Sequence, residues 1–335
     1  MSLLTNIKSN PRQENGNGTF IHKLKGWAEN PVFFPLIGFI AVFIIMVLVS
    51  DNFLTENNLT NIARQVSINA IIAVGMTCAI LTGGIDLSVG SVMALTGTIM
   101  AGLMAAWGLP PYLAIAAGLG LGALLGAFNG VLIAWARMPS FIVTLAMLGI
   151  ARGLALIYTG GYPIAGVPMD FSLFGRGNLL GIQTPILIMI GVYILAYILL
   201  NHTPFGRHVY AIGGNSEAAR LSGIKVNKVT LIVYTISGLT AAIAGLILTS
   251  RLMSGQPNAG EGFELDAIAA VVLGGAAMNG GKGAIIGTLI GAMLLGVLNN
   301  GLNLMGVSPY IQNVIKGLII LIAIYIGTEK RKKKT

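Results

Sequence analysis

Residues 66–107 read VSINAIIAVGMTCAILTGGIDLSVGSVMALTGTIMAGLMAAW, and Asp86 is the only charged residue among them. The stretch divides at the pair Gly83–Gly84 into apolar segments at about 66–82 and 88–107. Each falls within the ~17–25 residues that a helix needs to cross a hydrocarbon core. Eight more segments of this kind follow or precede it, at about 32–50, 111–134, 139–158, 184–201, 229–250, 265–281, 284–304 and 309–327. The glycines inside 66–107 and 265–281 mark these as broken or re-entrant helices. The expected fold is therefore an all-α polytopic membrane protein with about ten transmembrane helices.

Composition agrees. Of 335 residues, 55% are hydrophobic and 9% charged, against about 25% charged in a soluble domain. A soluble chain of this length cannot hide so much apolar surface. Glycine numbers 46, about twice its usual share of ~7%. It has no collagen period, and it suits helices whose backbones approach closely. The lone Cys78 excludes a disulfide within the chain and a cysteine-based metal site, and His22, His202 and His208 lack metal-ligand spacing.

The net charge of +9 reads as topology rather than as a nucleic-acid surface. With ten spans, fifteen of the twenty basic residues fall on the side of the termini: in the polar arm 1–30, at Arg137, in the loop 202–228, at Lys282 and in the tail 329–335. The excess of Lys and Arg in short loops marks the cytoplasmic face, so both termini are expected there, with the transmembrane domain over 31–328. The tail EKRKKK (329–334) is a topology anchor that can also attract anionic lipid. Arg152 and Lys316 lie at membrane depth with no partner that the sequence names. LTGGIDLSVGS (81–91) and MNGGKGAIIGT (278–288) read as an internal repeat, echoed by GLPPY (108–112) and GVSPY (306–310).

The loop 201–229, NHTPFGRHVYAIGGNSEAARLSGIKVNKV, holds a short helix signal. Asn215 or Ser216 can cap it, Glu217 favours its first turn and Gly223 can end it. It either docks a partner or merely fixes topology. Asp86 and Ser88 are candidates for a pathway or gate, and they also suit capping of the next helix. The amides Asn129, Asn299, Asn300 and Asn303 suit a hydroxylated cargo, because an amide both donates and accepts. They can also bridge helices. In SGQPNAGEGFELD (254–266), Glu261 and Glu264 are candidates for steering a partner on the outer face. There is no P-loop: at the only Gly-Lys, Gly281–Lys282, Ala276 replaces the first glycine and Gly283 the Ser or Thr. A single candidate intramembrane carboxylate argues against an ion-coupled carrier. The lack of any His in the spans argues against an intramembrane hydrolase.

That loop, with GGIDLSVGSVMALTG (83–97), PSFIVTLAMLGIARGLALIYTGG (139–161) and ELDAIAAVVLGGAAMNGGKGAIIGTLIGAMLLGVLNNGLNLMGVSPY (264–310), resembles permease subunits of bacterial ABC sugar importers. The likeness spans about residues 50–327. It implies the type II importer fold of the vitamin B12 and branched-chain amino-acid permeases, in the inner membrane. It implies a pathway for a monosaccharide, ribose or a related sugar, with autoinducer-2, xylose, galactose and inositol handled by sister permeases. The implied partners are an ABC ATP-binding subunit that holds the ATP and Mg, a periplasmic sugar-binding protein and a second permease subunit. The resemblance carries the ATPase-coupling role onto Asn215, Glu217, Ala218, Arg220 and Gly223.

Overall fold

A computed structural model describes residues 32–179 and 181–332. The polar arm 1–30 and the last three residues of the basic tail lie outside them. Thirteen α-helices dominate the described residues. They are α1 (Phe33–Val49), α2 (Glu56–Leu81), α3 (Val89–Ala105), α4 (Pro111–Ala134), α5 (Ser140–Thr159), α6 (Leu173–Arg176), α7 (Thr184–His202), α8 (Pro204–Gly214), α9 (Ser216–Leu221), α10 (Val226–Leu252), α11 (Phe263–Leu273), α12 (Ile285–Leu304) and α13 (Pro309–Lys332). A 3-10 turn (Met169–Ser172) and the two-residue strands β1 (Asn178–Leu179) and β2 (Ile182–Gln183) complete it; the strands pair antiparallel. Every apolar segment of the sequence contains a helix. Six of them, α2, α4, α5, α7, α10 and α12, have the length and hydropathy to cross a membrane, and α1 and α3 are shorter apolar helices.

Two segments differ from their sequence bounds. The helix containing 66–82 starts ten residues earlier, at Glu56, so two-thirds of the expected outer loop 51–65 is helical. Its first turns, ENNLTNIARQ, are polar and escape an apolar scan, but Thr55 in extended conformation and Glu56 in the first turn give it a normal start. The segment 265–281 is cut at Leu273: Gly275 takes φ +88°, and Ala276 N–H closes back on Val271 O at 3.1 Å. That is a Schellman-type stop. At 11 residues, α11 is about 16 Å long, half of a ~30 Å core. Gly83 ends α2 in the same way, with φ +82° and Gly84 N–H on Ala79 O at 3.0 Å. Gly83 and Gly275 thus stand at helix stops of one kind, and Gly280–Gly281 lie in the segment beyond the second stop.

The packing inverts the rule for soluble proteins. The central α2 is almost wholly buried, and α10 and α12 are mostly so, whereas α4, α5 and α7 expose most of their surface. Helix α4 shows why. Its buried face is Ala114, Gly118, Gly122, Gly126 and Gly130, each four residues after the last, and its exposed residues include Leu124, Phe128 and Val131. Four-residue spacing puts the glycines on one stripe, and the stripe lets α4 lie directly on α10. A Cβ at Gly126 would collide with the Tyr234 carbonyl, and one at Gly122 would lie 2.6 Å from the Gly238 carbonyl. Large aliphatics face outward because lipid is as apolar as they are, and small residues face inward because backbone proximity is what binds helices there.

Gly126→Leu should therefore separate α4 from α10, at a cost of roughly 1–3 kcal/mol or more, and lower the melting temperature in detergent. Gly120→Leu, where a Cβ meets open space, should melt like the wild type.

Candidate functional site

The helices alternate in direction, so α8, α9 and the two helix breaks (82–88 and 274–284) gather at one end. The segments 50–55 and 160–183 lie at the other, from which 253–262 runs inward: Gly255 pairs with Ile164, and Gly260 lies against Gly90. At the first end, α9 stands clear of the bundle. Asn215 Oδ1 accepts from Glu217 N and Ala218 N, both at 3.0 Å, the N-cap bond that the sequence pattern calls for. Gly223 at φ +85° and the Ile224 N–H on Ala219 O at 3.1 Å close the helix. Arg220 Nε reaches the Glu217 carboxylate at 3.0 Å. That guanidinium, hydrogen-bonded to the carboxyl, holds Glu217 below the usual carboxylate range. Ala219 is the buried residue of α9. Ser216, Glu217, Ala218, Arg220 and Leu221 all face out, and Leu221 is 76% exposed. The helix is thus short, capped at both ends and carries a bare leucine at its tip.

Beside this end, Asp86 is 1% exposed. Its Oδ1 accepts from Ser88 N at 3.0 Å and Ser88 Oγ at 2.6 Å, and Ser237 faces the same carboxylate. Ser88 Oγ in turn accepts from Asn129 Nδ2 at 3.1 Å. Asp86, Ser88 and Asn129 are thus one buried chain that joins the 82–88 break to α4. Asn129 Oδ1 has no hydrogen-bond partner.

The other three amides lie on α12 toward the far end and are not near that chain. Asn300 exchanges hydrogen bonds with Asn58 at 2.7 and 3.0 Å, which ties α12 to the start of α2. Asn303 accepts from Gln312 Nε2 at 2.8 Å, which ties α12 to α13. Asn299 is buried with Oδ1 unpartnered.

Sequence reasoning left Lys316 and Arg152 without partners, and the structure supplies them. Lys316 Nζ lies 3.0 Å from Asp266 Oδ1, a pair between α13 and α11 with side chains only 21% and 8% exposed. Asp266, expected on the outer rim, is therefore inside. No sequence signal joins residues 50 apart; only the shared oddity of a charge in an apolar run could have suggested it. Arg152 donates to the carbonyls of Pro257 and, at 2.9 Å, Ala259. It lies within electrostatic range of Glu261 and Glu264. Glu261 is exposed, whereas Glu264 is half-buried against Gly90 and accepts from Gly262 N at 3.3 Å. At the same end, Arg176 donates to the Arg251 carbonyl at 2.7 Å and Arg64 to Gln183. Arg64 and Arg176 both lie within electrostatic range of Arg251.

Among the described residues, a bundle of buried, glycine-faced helices with six members long and apolar enough to cross a membrane is the fold of a polytopic membrane protein. The comparisons with known proteins are specific. The family described as branched-chain amino acid transport system / permease component matches residues 58–324, and this chain belongs to that family. It is 51% identical to the ribose import permease protein RbsC of Bacillus subtilis (strain 168), over 88% of this chain and 92% of that protein. It is equally similar, at 51%, to RbsC of Escherichia coli (strain K12), over 88% and 93%. The D-allose transport system permease protein AlsC of the same strain is 40% identical, over 89% and 91%. No solved structure matches the chain.

Removing one member of a buried ion pair strands the other, at about 3–5 kcal/mol, whereas replacing both with apolar residues is often neutral. Lys316→Met should accordingly lower the melting temperature in detergent, and Asp266→Leu with Lys316→Met should recover most of it.

Proposed function

We propose that this chain is the transmembrane subunit of an ATP-driven importer and forms the pathway for ribose. The observation that carries this reading is the 51% identity to ribose import permeases over nearly nine-tenths of the chain. The exposed, doubly capped α9 supports it, because a permease without its own ATP site must present something to a protein that has one. The partners in this reading are an ABC ATP-binding subunit that carries ATP and Mg, a periplasmic ribose-binding protein and a second permease copy.

The placement is the bacterial inner membrane, with ten crossings and both termini in the cytoplasm. The ATPase sits against α9, with Asn215 and Gly223 fixing its shape and Glu217, Ala218, Arg220 and Leu221 facing the partner. The binding protein docks on the far end. There Glu261 and the three arginines Arg64, Arg176 and Arg251 offer both signs of charge, and rim charges of this sort steer association. Within the bundle, Asp86, Ser88, Asn129 and Asn299 are the polar groups beside the pathway, whereas Asn300 and Asn303 serve it indirectly by holding α12 to its neighbours. A second reading, import of another monosaccharide such as allose, draws on the 40% identity to the allose permease.

Reconstitution with the ATPase and the binding protein in proteoliposomes should give ATP-dependent uptake of ribose in preference to allose, xylose and fructose. Preference for another sugar would overturn the ribose assignment. Leu221→Asp puts a charge where an interface anchor is expected. It should lower uptake roughly ten-fold or more, with loss of the ATPase on co-purification and no change in membrane insertion. Asp86→Asn should slow transport, whereas a wild-type rate would remove Asp86 from the pathway.

A further inference from the structure

Helix α8 joins the exposed α9 to both helix breaks, and nothing in the reading above requires that it should. One non-helical residue, Asn215, separates the two helices. Val209 and Ile212 are buried and key α8 into the bundle. Its last turn lies on the point where the breaks meet. Gly281 N–H donates to Leu81 O at 2.9 Å, so the end of α2 and the segment before α12 are hydrogen-bonded to each other. A Cβ at Gly213 would collide with both atoms of that bond. One at Gly281 would lie 2.8 Å from Gly214 N, and one at Gly280 would lie 2.8 Å from Gly83 N. A second attachment is chemical rather than steric: Tyr210 Oη donates to Gly283 O at 3.0 Å.

We propose that Tyr210 and Gly213 are positioning residues for transport, which make α8 the lever that carries movement of α9 into the two helix breaks. The breaks are where helical hydrogen bonds are missing, so bending costs least there. Gly83, Gly280 and Gly281 all have positive φ, from +73° to +85°, a conformation that glycine alone adopts freely. A lever transmits only if it cannot slip against what it moves. The Tyr210 bond and the side-chain-free contact at Gly213 are the two features that prevent slipping. The proposal rests on α9 being the ATPase contact.

Contiguity alone does not show coupling, so the test reads coupling itself. The full complex, with ATPase and binding protein, is reconstituted, and ribose uptake and ATP hydrolysis are measured in parallel. Tyr210→Phe removes one hydroxyl and Gly213→Ala adds one methyl. Gly214→Ala is the control, because a Cβ there meets nothing within 4 Å. Tyr210→Phe and Gly213→Ala should lower the ribose taken up per ATP hydrolysed about five-fold or more, with the ATPase still co-purifying. Gly214→Ala should keep the wild-type ratio. A purely structural role would lower uptake and hydrolysis together and leave the ratio unchanged, which would overturn the proposal. A ratio that falls as far in Gly214→Ala would do the same. If Gly213→Ala fails to assemble, Tyr210→Phe decides. An inert Leu221→Asp would overturn the α9 reading and the lever with it. A damaging Leu221→Asp beside a fully coupled Tyr210→Phe would overturn the lever alone.

Discussion

A chain inside hydrocarbon must satisfy its own backbone, because each unpaired peptide group there costs several kcal/mol. Continuous helices meet this demand by themselves, but a broken helix does not. This protein has two breaks and satisfies them largely with each other and with neighbouring helix ends. Leu81 O, freed where α2 stops, accepts from Gly281 N; Ala277 N–H closes on Lys282 O at 2.8 Å within its own turn. The peptide at Ile85 is held by α5, with its N–H on Ser140 Oγ at 3.3 Å and its carbonyl accepting from Thr144 Oγ1 at 3.2 Å. Because neither break is satisfied alone, α2, α5, α8 and the two ends of the 274–284 segment must come together. The assembly at this end follows from that requirement.

The same demand fixes the choice of residue types. Where backbones must touch, side chains have to vanish, and glycine does this at Gly213 and Gly281 and along the α4 stripe. Many of the glycines serve close backbone contact, as on the α4 stripe, or a turn with positive φ, as at Gly83 and Gly275, and Gly280 and Gly281 serve both. Substitution to alanine offends the first by collision and the second by backbone strain as well.

Much of this was legible in the residues. The apolar run 111–134 is the helix to the residue, because Pro110 and Pro111 start it and the loop after Trp135 ends it. The α9 cap was readable because N-cap chemistry is local: Asn215, Glu217 and Gly223 carry it within nine positions. The start of α2 was not, since its first turns are polar and escape an apolar scan, although Asn58 bonds both Phe53 O and Asn300 there. The glycines of 265–281 announced a break, but not its position, because apolar character runs past Leu273 while the backbone has already turned on Gly275. Asn299 and Asn303 are four apart on one helix and so can share a face, yet Asn299, Asn300 and Asn303 have three different environments. Spacing shows which side chains can share a face, not what stands opposite them.

The distribution of charge makes one more step. At membrane depth, Lys316 is matched to Asp266, Arg152 is taken up by two carbonyls, and Asp86 is bound by the hydroxyl and amide of Ser88. Each charge is committed to holding segments of this chain together. The buried acceptors left with spare capacity include the amide oxygens of Asn129 and Asn299, which are neutral. A charged cargo would need a free countercharge along its route, because desolvating an ion without one is prohibitive. A neutral polyol needs only weak, replaceable hydrogen bonds, and amides provide them in both senses. The proposed cargo, a neutral sugar, asks for no such countercharge, and the free amide oxygens of Asn129 and Asn299 are of the kind that its hydroxyls could use.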